Sequence, residues 1–425
     1  MTLATGLLFS LASPTLAQDW DDEWDDGSGE LPVEIHGFVE GAGGARVTDN
    51  PVMPDDFVLG EARFRLDVSH YRDQSSLVFK GDFLSDAVAD ETRIDIRQAW
   101  LSLQATNWLD MRVARQVLTW GTGDLLFLND LFPKDFVSFF IGRNDEFLKA
   151  PSNSLKFSSY SSAIDIDFVW TPIFTPDGYI TSERLSFFDP QAGAIVGADS
   201  TGQPLEAALP ERSLENGEFA VRLYRLVRGY ELAAYGYWGF TKRPRAYDPE
   251  NQAPAFSRIS VGGASIRGNA LGGVGNIEGA YYASRDDREG NDPNIPNSEV
   301  RGLLGYEREL VMNLTLGLQY YLEWIQQYDR LISNSSNPDS EQKEVRDLVT
   351  TRLTWRLKQD TLILSLFVYA AFGDGDTYWR PSVTRRWTDA VSISVGGNIM
   401  TGPRDTFFGQ LADNTNFYLR FRHSF

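Results

Sequence analysis

Arginines recur at alternate positions along several apolar stretches of this 425-residue chain. Arg63 and Arg65 stand with Glu61 and Asp67, Arg352 and Arg356 with Thr350 and Thr354, and Arg420 with Arg422. Residues two apart on a strand point the same way, so each set presents guanidiniums on one face. Arg97, Arg112 and Arg222 extend the pattern. Where Val349, Leu353, Trp355 and Leu357 take the opposite face, these arginines belong inside, because Arg at the middle of a bilayer costs about 2–4 kcal/mol. A wall of fixed cations can draw in and hold a polar or anionic solute without making or breaking a bond. The plainer alternative is that each arginine pairs with a cross-strand acid and fills a solvated wall.

A second group of candidates lies in 121–152. This stretch is apolar far beyond an ordinary loop, with Leu125 to Leu128, Leu131, Phe132, Phe136, Val137 and Phe139 to Ile141. A segment so greasy must pack somewhere. It is expected to fold into the lumen as a constriction, with Asp124, Asp130, Asp135, Asp145 and Glu146 facing the basic wall. An extracellular cap or an assembly contact is the alternative.

Bond-making chemistry finds little support. The only histidines are His36, His70 and His423, and no Ser or Asp pairs convincingly with any of them. There is no cysteine, so no disulfide, thiolate metal site or cysteine nucleophile exists. The acidic run from Asp19 to Glu30 fails as a calcium loop, because in the register set by Gly27 the bidentate position falls on Val33. The glycines from Gly262 to Gly279 lack the helical period a dinucleotide loop requires, and read as strand positions. No enzyme activity, cofactor or metal is expected. A net charge of −20 argues against a nucleic-acid partner.

The elements that must position these residues are strands. No stretch approaches the roughly 18 apolar residues of a spanning helix, and mean hydropathy is −0.29. Yet aromatic residues reach 13%, which suits strands whose lipid-facing and lumen-facing residues cancel in the average. Eighteen alternating segments can be read between 33 and 425, among them 57–71, 109–120, 313–328 and 415–425. Tight links such as Arg72-Asp73-Gln74 and Lys358-Gln359-Asp360 alternate with long polar ones such as 173–217, 286–298 and 329–346. The link 373–376 is the short exception on the long side. This sorting predicts an all-β, transmembrane, antiparallel up-and-down β-barrel of 18 strands, with 16 or 20 as alternatives. Ahead of it, 1–17 is expected to be a signal peptide, with a Leu3 to Leu11 core, and 18–32 an acidic disordered leader.

The last segment places Phe417, Leu419, Phe421, His423 and Phe425 on one face and ends on that Phe. It resembles the signal by which outer-membrane barrels are recognised by their assembly machinery, with Phe421 and Phe425 as its anchors. From about 33 to 425 the chain resembles the large bacterial porins. More loosely, Arg115-Gln116-Val117 with Trp120-Gly121 is similar to the 18-stranded alginate-export-like and related uncharacterised porins. The resemblance implies a Gram-negative outer-membrane channel for small polar solutes. Its expected partners are membrane lipid, the barrel-assembly machinery, and further copies of itself or a periplasmic protein. The competing function is a scaffold barrel, sheathing a periplasmic electron-transfer partner or forming the outer part of an exporter. That would need a clear bore, whereas a channel needs its own constriction.

Overall fold

The computed structural model describes residues 33–189, 192–201, 204–338 and 341–425. The expected signal peptide and acidic leader lie outside the described residues. Eighteen antiparallel strands form one sheet. In chain order they are β1 Val33–Arg46, β2 Phe57–Arg72, β3 Ser75–Asp86, β4 Glu91–Thr106, β5 Leu109–Gln116 and β6 Ser152–Ser159. Then come β7 Asp165–Thr171, β8 Glu218–Val227, β9 Tyr230–Phe240, β10 Arg258–Ala270, β11 Gly273–Ser284 and β12 Glu299–Val311. The ring is completed by β13 Leu314–Ile325, β14 Val345–Leu357, β15 Leu362–Ala371, β16 Asp376–Arg386, β17 Val391–Thr401 and β18 Asn416–Ser424.

The sheet closes on itself. β1 pairs with β2 on one side and with β18 on the other, in register from Phe38 opposite Ser424 to Arg46 opposite Asn416. Closure has a simple cause: hydrocarbon offers no partner for a backbone N–H, so an open edge in lipid would cost several kcal/mol per group. The outward face is apolar, with Leu223, Leu232, Leu318, Val383 and Leu419 exposed. Aromatic side chains ring both margins: Trp238, Trp324 and Trp379 towards the long loops, Trp108, Trp355 and Trp387 towards the turns. Such belts mark the two membrane–water interfaces.

All eighteen predicted segments are strands, and two that stop early do so for a visible reason. The strand expected over 109–120 stops at Gln116. Leu118 and Trp120 instead bury inside the ring with Val169, Ala220, Tyr235 and Val261. The strand expected over 313–328 stops at Ile325, because Gln327 takes a left-handed conformation and starts a short helix, Tyr328–Asn334. The main core therefore sits within the barrel, where residues of the β5–β6 connection pack on inward tyrosines.

Candidate functional site

The connection between β5 and β6, residues 117–151, forms a strap inside the barrel. Its path is written in hydrogen bonds to strands on almost every side. Glu278 of β11 accepts from the Thr122 backbone N–H (2.6 Å) and hydroxyl (2.8 Å), and from the Asn129 N–H and side-chain amide (2.9 Å each). Gly121 beside it has φ +79°, and a Cβ there would come 3.0 Å from Glu278 Oε1. On β13, Gln319 accepts from the Asp124 N–H at 2.7 Å and donates back to the Asp124 carbonyl at 2.9 Å. The Tyr369 hydroxyl of β15 donates to the Leu125 carbonyl at 3.0 Å, and Asn416 of β18 donates to that of Phe140 at 3.0 Å.

Midway the strap forms one short helix, α1, Phe136–Ile141. Asp135 caps its N-terminus by accepting from the Ser138 N–H at 2.9 Å, and Gly142 ends it in the left-handed region. Phe139, Phe140 and Ile141 are buried against Tyr369, Tyr378, Tyr418 and Phe408. This explains why so apolar a stretch sits between strands of a polar lumen: its side chains meet the tyrosines that line one wall.

The strap then meets the arginines. Arg352 donates to Asp124 at 2.9 Å, Arg380 to Asp145 at 2.8 Å, and Arg65 and Arg422 to Glu146 at 2.8 and 3.0 Å. Burial by itself would raise the Asp145 carboxyl, but Arg380, followed by Arg352 and Arg420, outweighs it and holds the group below the usual carboxylate range. Glu146 is likewise held low against its burial, by Arg65 and Arg422.

The remaining sequence candidates divide. Arg97 donates to the strap carbonyls of Glu146 (2.9 Å) and Lys149 (2.7 Å). Arg63 is buried between Glu61 at 2.9 Å and Asp82 at 2.6 Å, and Arg65 also binds Asp82. Arg63 and Arg65 are thus neutralised by acids, contrary to the expectation that they hold the solute. Arg112 lies over the Trp100 ring at 4.1 Å, and Arg222 pairs with Glu231 at 2.7 Å. Among the described residues no hydrogen bond or ion pair joins Arg356 to the strap. Arg420 lies 5.2 Å from the Tyr418 ring centroid, and its Nε and Nη1 find no hydrogen-bond partner among the described residues. Asp130 and Asp135 do not face the wall as expected. Asp130 binds Lys134 at 2.9 Å within the strap, and Asp135 caps α1. A helix start and a buried lysine four residues away claim them first, which alternation in the strands could not reveal.

Two cavities flank the stretch from Thr122 to Leu126. One, of about 280 Å³ on the side of the short turns, is bounded by Asp124, Arg267, Asn276, Glu307 and Arg352. The other, of about 180 Å³ on the side of the long loops, is walled by Phe127, Phe136, Phe407 and Phe408 and reached by Arg243 and Arg346. Arg243 lies 5.5 Å from the Phe136 ring centroid and 5.3 Å from that of Phe407. Among the described residues it has no ion pair or side-chain hydrogen bond. Arg346 pairs through Nε with Asp374 at 3.0 Å, while its buried Nη2 has no hydrogen-bond partner among the described residues. The sequence reading missed both arginines, although the basic run Lys242-Arg243-Pro244-Arg245 was a visible signal. It also missed the role of the loop after β7, whose Asp177 accepts the Lys134 backbone N–H at 2.7 Å and ties the strap from above.

No protein-family model matches the sequence, and no curated protein matches it. Solved structures do resemble it. OccD3 (OpdP) of Pseudomonas aeruginosa aligns over 94% of this chain and 93% of its own at TM-score 0.54 and 10% identity. OccAB3 of Acinetobacter baumannii aligns over 92% and 99% at 0.56 and 9%. OccK2 (OpdF) of Pseudomonas aeruginosa, solved in complex with glucuronate, aligns over 92% and 97% at 0.52 and 10%. At such identities the likeness is one of architecture: the chain has the fold of the large 18-stranded outer-membrane porins.

Proposed function

We propose that the protein is an outer-membrane channel passing small polar or anionic solutes, with the strap as its constriction. The observation that carries this reading is Arg243. A guanidinium without an acid partner, held beside aromatic rings at a cavity on the path, is available to an incoming anion. Arg346 offers a second unpartnered N–H at the same Phe407 ring. The glucuronate in OccK2 supports the reading, since a barrel of this architecture there holds an anionic solute.

The arginines that already face acids serve a different purpose in this scheme. They fix the strap, and the uncompensated ones set the field. The sheath alternative needs an empty bore, and the strap packed across the lumen counts against it.

Planar-bilayer recording of the purified protein tests the proposal. A conducting, anion-preferring pore is expected, with Arg243→Glu shifting preference towards cations and deletion of 125–140 raising conductance several-fold. A wild-type protein that never conducts would overturn the reading in favour of a partner-dependent barrel.

A further inference from the structure

The outside of the barrel carries an arginine cluster that passage of a solute does not use. Arg258 opens β10, Arg285 follows β11 directly, and Arg288 lies three residues further into the next loop. On β11 the exposed Ile277 and Tyr281 have the same parity as Arg285, whereas Glu278 points to the strap. On β10 the exposed Ile266 shares parity with Arg258. Both guanidiniums therefore leave the barrel on its lipid side, at the end bearing the long loops. Arg285 stacks on Trp238 of the neighbouring β9, 3.3 Å from the ring centroid, and Trp238 is itself exposed in the outer aromatic belt.

Among the described residues the nearby acids form no ion pair with these arginines. Asp286 accepts the Arg258 backbone N–H at 2.7 Å, and Asp287 accepts those of Glu289, Gly290 and Asp292. Glu289 pairs with Arg330 at 3.4 Å. Among the described residues the Arg258 guanidinium donates only to a neutral partner, Asn216, at 3.2 Å. Among the described residues neither Arg285 nor Arg288 has an acid within ion-pair distance. Burial and then Arg258, joined by Arg288 and opposed by Asp286, hold the Arg285 guanidinium below its ordinary value, so repulsion within the cluster outweighs the one acid that acts on it. Two arginines so placed, with Arg288 in the adjoining loop near enough to act on Arg285, call for an anion, and at headgroup height beside a tryptophan that anion is carried by lipid. Guanidinium forks suit phosphate, which accepts two parallel hydrogen bonds.

We propose that Arg258, Arg285 and Arg288, with Trp238, form an outward-facing site for a phosphate group of an outer-leaflet glycolipid. Its acyl chains would then run down the apolar face past Tyr281, Ile277 and Ile266. The inference goes beyond passage through the pore and depends only on which end of the barrel faces the outer leaflet.

The test is equilibrium binding of diphosphoryl lipid A to the full-length, detergent-folded protein. Saturable binding is expected, weakened at least tenfold in R258Q/R285Q/R288Q and partly kept in R285K, which retains charge but loses the planar stack. Heat-dependent migration in SDS gels checks that each variant is folded, and R285Q alone serves should the triple variant fail that check. Dephosphorylated lipid A should bind at least tenfold more weakly. Unchanged binding in the arginine variants, or equal binding of the dephosphorylated lipid, overturns the proposal. Displacement by millimolar inorganic phosphate would overturn the assignment to lipid and leave a free-phosphate site. Single-channel conductance of the triple variant should match wild type, so failure of this site and failure of the channel reading are read on separate measurements.

Discussion

Gln319 holds the peptide of Asp124 from both sides, accepting its N–H at 2.7 Å and donating to its carbonyl at 2.9 Å. The same side-chain nitrogen also reaches the Thr350 hydroxyl at 2.7 Å, so three inward positions are joined where the two cavities approach each other. A backbone group clamped in this way cannot swing aside without leaving a donor and an acceptor unmet, at about 1–3 kcal/mol per group. Gln319→Leu should therefore loosen the strap between its Glu278 and Tyr369 anchors. Single-channel recordings should show higher conductance or frequent steps between two levels, while an unchanged, steady current would mean that Arg352 alone fixes Asp124.

Gly142 ends α1 at φ +91°, with the Tyr418 ring where a side chain would begin: an added Cβ would sit 2.2 Å from its Cδ1. Any L side chain there meets both an unfavourable backbone region and a buried ring. Gly142→Val should cost about 2–4 kcal/mol, by analogy with strained sites combined with overpacking. The temperature at which the barrel unfolds in SDS should fall, and the strap should become open to proteolysis. A variant as heat-resistant as wild type would show that α1 can shift without loss.

Phe425 exchanges two backbone hydrogen bonds of 3.0 Å with Gly37, and its ring packs 5.9 Å from that of Phe64. Gly37 is required there, since a Cβ would sit 2.3 Å from the Arg65 carbonyl and 2.6 Å from the Phe425 ring. Deleting Phe425 removes the final rung of the seam. Outer-membrane levels should drop several-fold on fractionation, with normal conductance for the protein that does assemble. Wild-type levels would show that the remaining rungs, from Phe38 opposite Ser424 onward, suffice.

Asp177 supplies a pH dependence. Burial pushes its carboxyl up to about 6 from an ordinary 3.8, against the pull of Lys134 and its backbone N–H. Its folded value is raised, so the neutral form is favoured in the folded state. The associated stability is fully present below pH 3.8 and is lost as pH rises through about 6. Amide exchange at Lys134 and Gly178, corrected for intrinsic rates, should be several-fold faster at pH 7 than at pH 5, and Asp177→Asn should flatten the difference. Asp145 and Glu146, held low by arginines, contribute a change only at more acidic pH and leave this window unaffected. A pH-independent exchange rate in wild type would refute the assignment.

The sequence by itself determined the eighteen strands, their faces and the closed ring. Each of these follows from period-two alternation and from the sorting of short and long connections, which local chain geometry and the bilayer impose. It also marked 121–152 as a segment unable to stand in water, although it gave the first four residues of the strap, 117–120, to the preceding strand. It could not say which charges cancel. Arg63 and Arg243 look alike in a sequence, yet Asp82 pairs with one at 2.6 Å, whereas the other has no ion pair among the described residues. That difference depends on how far each strand is staggered and on which loop reaches which wall. The meeting of Glu278 with Thr122, 156 positions apart, and of Arg352 with Asp124, 228 apart, is likewise fixed only when the ring closes. Long-range pairing of this kind is decided by packing in three dimensions, because no local preference of either residue encodes its partner.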